Sequence, residues 1–512
     1  MLTRLGPWVI FSIIVAYFMV LIALSWWTNR KGDSRDFYLA GRKSPWFLVA
    51  FGMVGTSLSG VTFISVPGLV GKLDAQGVPQ AFSYLQVVFG YLIGYLIIAT
   101  VLLPLYYKRN LTSIYQYLDQ RLGWSAYKVG AFYFLVSRVL GAALRLFLVA
   151  LVLDQFVTGP LGVPFAVTVA VTIILIWVYT HQGGIKTIVY TDTLQTAAMI
   201  AALLGAIWAI SYSLNSNLAD LWTQAKLQNY DRIFFFEGGW SDPRNFFKQV
   251  ISGALITITM TGLDQDMMQK NLSISNVRDA QKNMAVFSFI LLLINALFLF
   301  LGALLYLQAS HTGMELPTSS DLLFPTIALE ALPTAVGILF IIGLIAAAYS
   351  SADSALTALT TSFCVDFLNF EKTDRTEEEQ VKTRRWVHIG FSALLFVVIL
   401  VTRALTEDTS VIYAVLKVAG FTYGPLLGLF CFGLFTDLKV REWVQLGSLR
   451  IPALILVCLT APIISFIVDH YSASWFNGFQ FGFTIMAFNG LITFVGLLLL
   501  AYSDAEEVQT IN

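Results

Sequence analysis

About 13 apolar runs, each of about 20 residues or more, follow one another along this chain, separated by more polar connections. Nothing else in the sequence constrains the fold as much. Hydrocarbon offers backbone N–H and C=O groups no water, so a spanning run of this length must satisfy its own hydrogen bonds as a helix. The runs lie near 7–27, 46–70, 80–106, 128–156, 161–181, 188–212, 247–267, 284–309, 330–367, 386–404, 410–436, 451–470 and 479–502. The expected fold is therefore an all-α polytopic membrane protein, a single transmembrane unit embedded in a lipid bilayer. The first run is too long for a signal-peptide core and no small-residue cleavage site follows it, so it reads as the first span.

Composition excludes several function classes. Of the residues 57% are hydrophobic and 12% charged, and the net charge is zero, so no nucleic-acid partner is expected. The cysteines Cys364, Cys431 and Cys458 all lie in or beside apolar runs, which implies neither a disulfide framework nor a zinc cluster. His181, His311, His388 and His470 are scattered near span ends, and the 213–246 segment holds no acid-rich or His-rich cluster. A membrane-embedded enzyme is thus not the expected reading.

Basic residues orient the chain. Arg30, Lys31, Arg35, Arg42 and Lys43 follow the first run, and alternate connections carry Lys108, Arg109 and Arg121, then Lys186, then Lys270, Arg278 and Lys282, then Lys372, Arg375, Lys382, Arg384 and Arg385, then Lys439, Arg441 and Arg450. The opposite connections are nearly bare of basic residues except the 213–246 segment, whose Lys226, Arg232 and Arg244 are accompanied by Asp220, Asp231, Glu237 and Asp242. By the excess of basic residues on the cytoplasmic side, the amino terminus is therefore expected outside and the carboxyl terminus inside, in the plasma (inner) membrane.

Two runs are interrupted. Within the second, Gly52-Met-Val-Gly-Thr-Ser-Leu-Ser-Gly-Val-Thr-Phe-Ile-Ser-Val-Pro-Gly68 places glycines, a proline and hydroxyl residues where a lipid-facing helix would carry leucine. Five runs later, Thr257, Thr259, Thr261 and Gly262 precede Asp264-Gln265-Asp266. Interrupted helices at corresponding positions of two five-span halves point to an inverted-repeat transporter with its site near the midplane. On this reading residues 46–212 form one repeat and 247–436 the other, with a leading helix at 7–27 and trailing helices over 451–502. Non-helical backbone at that depth also occurs in channels.

The ninth run carries oxygen ligands. Ala347, Ser350, Ser351 and Ser354 fall at i, i+3, i+4 and i+7, so they share one helix face, with the carboxylate of Asp353 beside it. Such a face suits a hard cation, although small and hydroxyl residues also serve helix packing. Arg138 and Arg145, seven apart in the fourth run, share a face amid apolar residues, and arginine forks bind carboxylates. Pairing with an acid such as Asp154 is the alternative. Gln86 in the third run is a further candidate for hydrogen bonding to a solute, and Lys417 in the eleventh is expected to be buried.

Taken together, the broken second run, Gly183-Gly-Ile-Lys-Thr-Ile-Val-Tyr-Thr-Asp-Thr-Leu-Gln195, Asp264-Gln-Asp-Met-Met-Gln-Lys-Asn-Leu272, Ser350-Ser-Ala-Asp-Ser354 and Tyr423-Gly-Pro-Leu-Leu-Gly-Leu429 resemble the sodium:solute symporter family. The resemblance implies a ten-helix inverted-repeat core with one leading helix, and alternating access driven by sodium. It also implies a sodium site formed by the carbonyls of Gly55, Leu58 and Ala347 with the hydroxyls of Ser350 and Ser351. Many relatives have alanine where Gly55 stands, a change to which a carbonyl ligand is indifferent. A second sodium position, present in some members, would use Asp192, Ser350, Asp353 and Ser354. In similar sialic-acid transporters hydroxyls arranged like Ser57, Ser59 and Thr62 hold the substrate carboxylate, and Arg138 resembles their arginine. The resemblance favours an organic anion such as sialic acid or another carboxylate. A neutral sugar, inositol or amino acid is the alternative cargo, and an uncoupled facilitator or channel the alternative mechanism. No obligate protein partner is expected.

Overall fold

The structure, a computed structural model, describes residues 6–28, 42–74, 77–180, 184–370, 376–405, 411–446 and 449–502. Arg30, Lys31, Arg35, Lys372 and Arg375, which help to orient the sequence, lie outside the described residues, as does His181. Among the described residues, ten helices are long and apolar enough to cross a membrane, two further spans are bent pairs, and Phe165–Val178 is a shorter apolar helix. Together they stand at the places where the apolar runs lie.

The spans are α1 (Pro7–Thr28), α2 (Trp46–Leu69), α3 (Tyr84–Ile97, carried on by a π turn to Leu103–Lys108), α4 (Trp124–Leu153), α5 (Phe165–Thr180) and α6 (Gly184–Ser213). They continue as α7 (Phe246–Thr257, a π turn over Ile258–Gly262, then Gln265–Leu272), α8 (Val277–Thr312), α9 (Thr334–Ser362), α10 (Glu377–Leu405), α11 (Val411–Thr422 with Gly424–Phe435), α12 (Ala453–Trp475) and α13 (Ile485–Leu499). Two short antiparallel ribbons depart from a purely helical chain: Trp443–Leu446 pairs with Leu449–Pro452, and Lys439–Val440 with Ala501–Tyr502.

Burial sorts the helices into centre and rim. The apolar windows of α2 and α9 are each 78% buried, against 28% for α1 and α10, so the polar interruptions lie inside protein and the leucine-rich faces meet lipid. α2 packs on α6, α8 and α9, and α3 packs on α7. The α3–α7 contact is made at backbone distance. A Cβ on Gly253 would lie 2.0 Å from the Val87 carbonyl oxygen, which is why this interface is built from glycine.

The interruptions are real backbone breaks. α2 leaves helical geometry at Ser59, where φ is 32° and ψ 171°, a region in which a side chain is strained by about 1–3 kcal/mol. α7 bends by 64° between Gly262 and Gln265, and α11 by 45° at Tyr423. The α7 bend is closed by side chains that replace the lost helix partners. Tyr106 donates to the Gly262 carbonyl at 2.9 Å and Tyr115 to that of Leu263 at 3.0 Å. Asp264 Oδ1 accepts from the amides of Asp266 and Met267, capping the second half.

Candidate cation and solute site

At the α2 break a cavity of about 100 Å³ opens among α2, α3, α4, α7, α8 and α11. Ser57, Ser59 and Thr62 all line it, with Ser57 and Thr62 on either side of the strained Ser59. Tyr84, Tyr91 and Tyr95 from α3, Thr257, Met260 and Thr261 from α7, Asn295 from α8 and Leu416 from α11 complete much of the wall. The cavity adjoins a second one, of about 310 Å³, at Tyr84 and Ile412. That one meets a third of about 720 Å³ at Gln80, Pro243, Arg244 and Gln480, beside the 213–246 segment.

Arg138 and Arg145 both line the cavity, but in different electrical states. Arg138 is 4% exposed and its guanidinium pairs with Asp266, with Asp264 at 4.0 Å. Asp264 in turn accepts from the Tyr423 hydroxyl at 2.5 Å. Buried charges survive when they are paired and hydrogen-bonded, and here α4, the α7 bend and the α11 bend meet in one such layer. Arg138, expected to face the solute, is therefore already engaged by protein carboxylates. Arg145 pairs with no described carboxylate. Asp154, the alternative partner, pairs instead with Arg403 at 3.0 Å.

Gln86 does not line the cavity. Its Nε2 donates to the Arg244 carbonyl at 3.0 Å and its Oε1 accepts from the Phe235 amide at 3.2 Å, so its amide is consumed in tying the 213–246 segment to α3. Lys417 is not buried either: its side chain is 60% exposed and pairs with Asp469 at 3.0 Å.

On the opposite side of the α2 break, α9 brings its serine face against α2. The Gly55 and Leu58 carbonyls, whose i+4 partners lie at or beyond Ser59, are the ones such a break loosens. Ser351 donates within α9 to the Ala348 and Ala347 carbonyls at 3.1 and 3.3 Å, and Ser350 Oγ lies 3.4 Å from Thr56 Oγ1. A hydroxyl that gives its hydrogen away keeps its oxygen lone pairs for a cation. Carbonyls and hydroxyls without a carboxylate suit a hard monovalent ion better than a divalent one.

Gly55 is more than a carbonyl carrier in this chain. A Cβ there would fall 2.3 Å from Thr196 Oγ1, and that hydroxyl is held by the Asp192 carbonyl at 2.8 Å and the Phe51 carbonyl at 3.0 Å. Gly55→Ala is therefore expected to force α2 from α6 and to cost about 1–3 kcal/mol, read as a lower midpoint in thermal unfolding of the purified protein.

Asp192, Ser350 and Ser354 also come together, around a residue that the sequence places in a loop. Lys270 is 1% exposed, and its ammonium reaches Thr56 Oγ1 at 2.5 Å, Asp192 Oδ2 at 2.6 Å and Ser354 Oγ at 2.7 Å. Ser350 donates to Asp192 Oδ1 at 2.5 Å and Thr56 to Oδ2 at 3.0 Å. Asp353 is not among the Lys270 partners, and its Oδ1 accepts from the Ser354 amide. The half-helix after an intramembrane break was the available signal that Lys270 is interior. Thr56, the three tyrosines and Asn295 carried no signal beyond their runs.

Comparison with known proteins places this geometry in context. The model of the sodium:solute symporter family matches residues 37–442. The sodium/sialic acid symporter NanT of Aliivibrio fischeri is 23% identical over 459 residues, which cover 88% of each chain. Sodium-coupled monocarboxylate transporter 1 of Mus musculus is 24% identical over 94% of this chain and 81% of its own. Among solved structures, a substrate-bound, outward-open Na⁺-coupled sialic acid symporter superposes with a TM-score of 0.79, over 96% of this chain and 97% of its own, at 18% identity.

Proposed function

The chain belongs to the sodium:solute symporter family, and from that premise we propose that its cargo is a small organic anion whose carboxylate is held by Arg145. The fold is the five-plus-five inverted repeat of these transporters and the coupling ion is sodium. The observation that carries the choice of cargo is the contrast between the two cavity arginines. Arg138 is neutralised by protein, whereas Arg145 lines the cavity without a described carboxylate, so a carboxylate from the solute completes its charge pair. Ser57, Thr62 and Asn295 supply further polar contacts, and Tyr91, Met260 and Leu416 an apolar wall. Pockets for drug-sized ligands are typically about 300–1,000 Å³. A cavity of about 100 Å³ thus suits a short monocarboxylate with an apolar body better than a nine-carbon sugar acid.

The chain of cavities leads from this site toward the 213–246 segment, and we read the buried Arg138–Asp266 and Lys270–Asp192 pairs as the closed side of the pathway. We read the first side as extracellular, with the amino terminus outside and the carboxyl terminus in the cytoplasm of a plasma membrane. Sodium between α2 and α9 stabilises the broken α2 in the arrangement that presents Ser57 and Thr62 to the solute. Linkage then requires the solute to raise sodium affinity by the same factor. Ser351→Ala is expected to raise the sodium concentration for half-maximal uptake by about tenfold, the equivalent of one ligand worth about 1.4 kcal/mol. Labelled uptake at graded sodium tests this, and an unchanged sodium curve would remove Ser351 from the site.

A further inference from the structure

We propose that Lys270 is a tethered cation filling the second cation position, so that the protein carries one sodium ion per transport cycle. This rests on the sodium-coupled reading of the site between α2 and α9.

The position beside Asp192 has the makings of a cation site: one carboxylate, with the hydroxyls of Thr56, Ser350 and Ser354, converging from α2, α6 and α9. What sits among them is the Lys270 ammonium. A lysine ammonium has three N–H donors, and Lys270 finds three oxygens between 2.5 and 2.7 Å, each on a different helix. Asp192, at 0% exposure, has its charge matched by this one ammonium. A sodium ion added here would have to share Asp192 Oδ2 and Ser354 Oγ with Lys270 and would bring a second positive charge against the same carboxylate. Like charges at that separation in a water-poor interior exclude one another. The lysine is bound to the chain and cannot be transported. Its effect is to pin the inner half of α7 to α2, α6 and α9 without drawing on the sodium gradient.

The first measurement is equilibrium binding of ²²Na⁺ to the purified full-length protein. Wild type is expected to bind one ion per chain. Lys270→Ala is expected to bind two, because the vacated oxygens and the unpaired Asp192 then recruit sodium, and Lys270→Ala with Ser354→Ala should return the count toward one. Two ions on wild type, or an unchanged count in folded Lys270→Ala, would overturn the proposal. Should Lys270→Ala fail to fold, the charge-neutral pair Asp192→Asn with Lys270→Met decides the matter. It is expected to keep one ion, and loss of that ion would show that Asp192 serves sodium and not Lys270. The underlying reading fails separately: if Ser351→Ala leaves wild-type binding intact, the α2–α9 site is wrong whatever Lys270 does.

Discussion

Arg138→Met is expected to destabilise the protein by about 3–5 kcal/mol, the usual cost of removing one partner from a buried charge pair. The reason is what it leaves behind. Asp264 and Asp266 are both 0% exposed, and among the described residues Arg138 is the cation that forms ion pairs with them. Asp264 retains the Tyr423 hydroxyl and its own helix cap. Asp266 would keep no side-chain donor among the described residues, and its Oδ1 is already buried and unpartnered. Asp266→Asn in the Arg138→Met background should therefore recover part of the loss, and unfolding midpoints of the two variants in one detergent measure it. A loss under about 1 kcal/mol would mean that water reaches this layer and that it is not the closed side of the transporter.

Arg145→Gln is expected to act in the opposite way, with little change in stability and a rise in the apparent KM for solute of about 30-fold to a few thousand-fold. That range corresponds to the 2–5 kcal/mol lost when one partner of a desolvated, hydrogen-bonded charge pair is removed. Stability is spared because Arg145 has no described carboxylate to abandon, unlike Arg138. Uptake kinetics beside an unfolding curve separate the two arginines. Equal KM values for wild type and Arg145→Gln would transfer the solute's carboxylate to the Ser57 and Thr62 hydroxyls.

Much of this architecture is legible in the sequence because the bilayer restricts the choices. Apolar length gives the spans, and glycine, proline and serine in the second run mark the α2 break where Ser59 indeed leaves helical geometry. The shared face of Arg138 and Arg145 is equally legible, because helical periodicity is local. Their partners are not. Asp266 is 128 residues from Arg138 and reaches it only after the 64° bend of α7, an angle no run of hydropathy encodes. Lys270 shows the same limit. Basic residues near the end of a span ordinarily mark the cytoplasmic surface, but the bend folds this half-helix inward and buries the ammonium against Asp192. Gln86 fails for a related reason: a buried amide in a transporter helix reads as a solute contact until the backbone of a distant loop is seen to use it.

Sodium-driven uptake of an organic anion is the central claim, and proteoliposomes test it most directly. Vesicles containing the purified protein are given labelled lactate, pyruvate or sialic acid with an inward sodium gradient, against a matched potassium gradient. The expected result is accumulation of at least one of these carboxylates above equilibrium with sodium alone, stronger for the short acids than for sialic acid and lost in Arg145→Gln. Equal accumulation under sodium and potassium in intact vesicles, or accumulation indifferent to Arg145, would contradict the account.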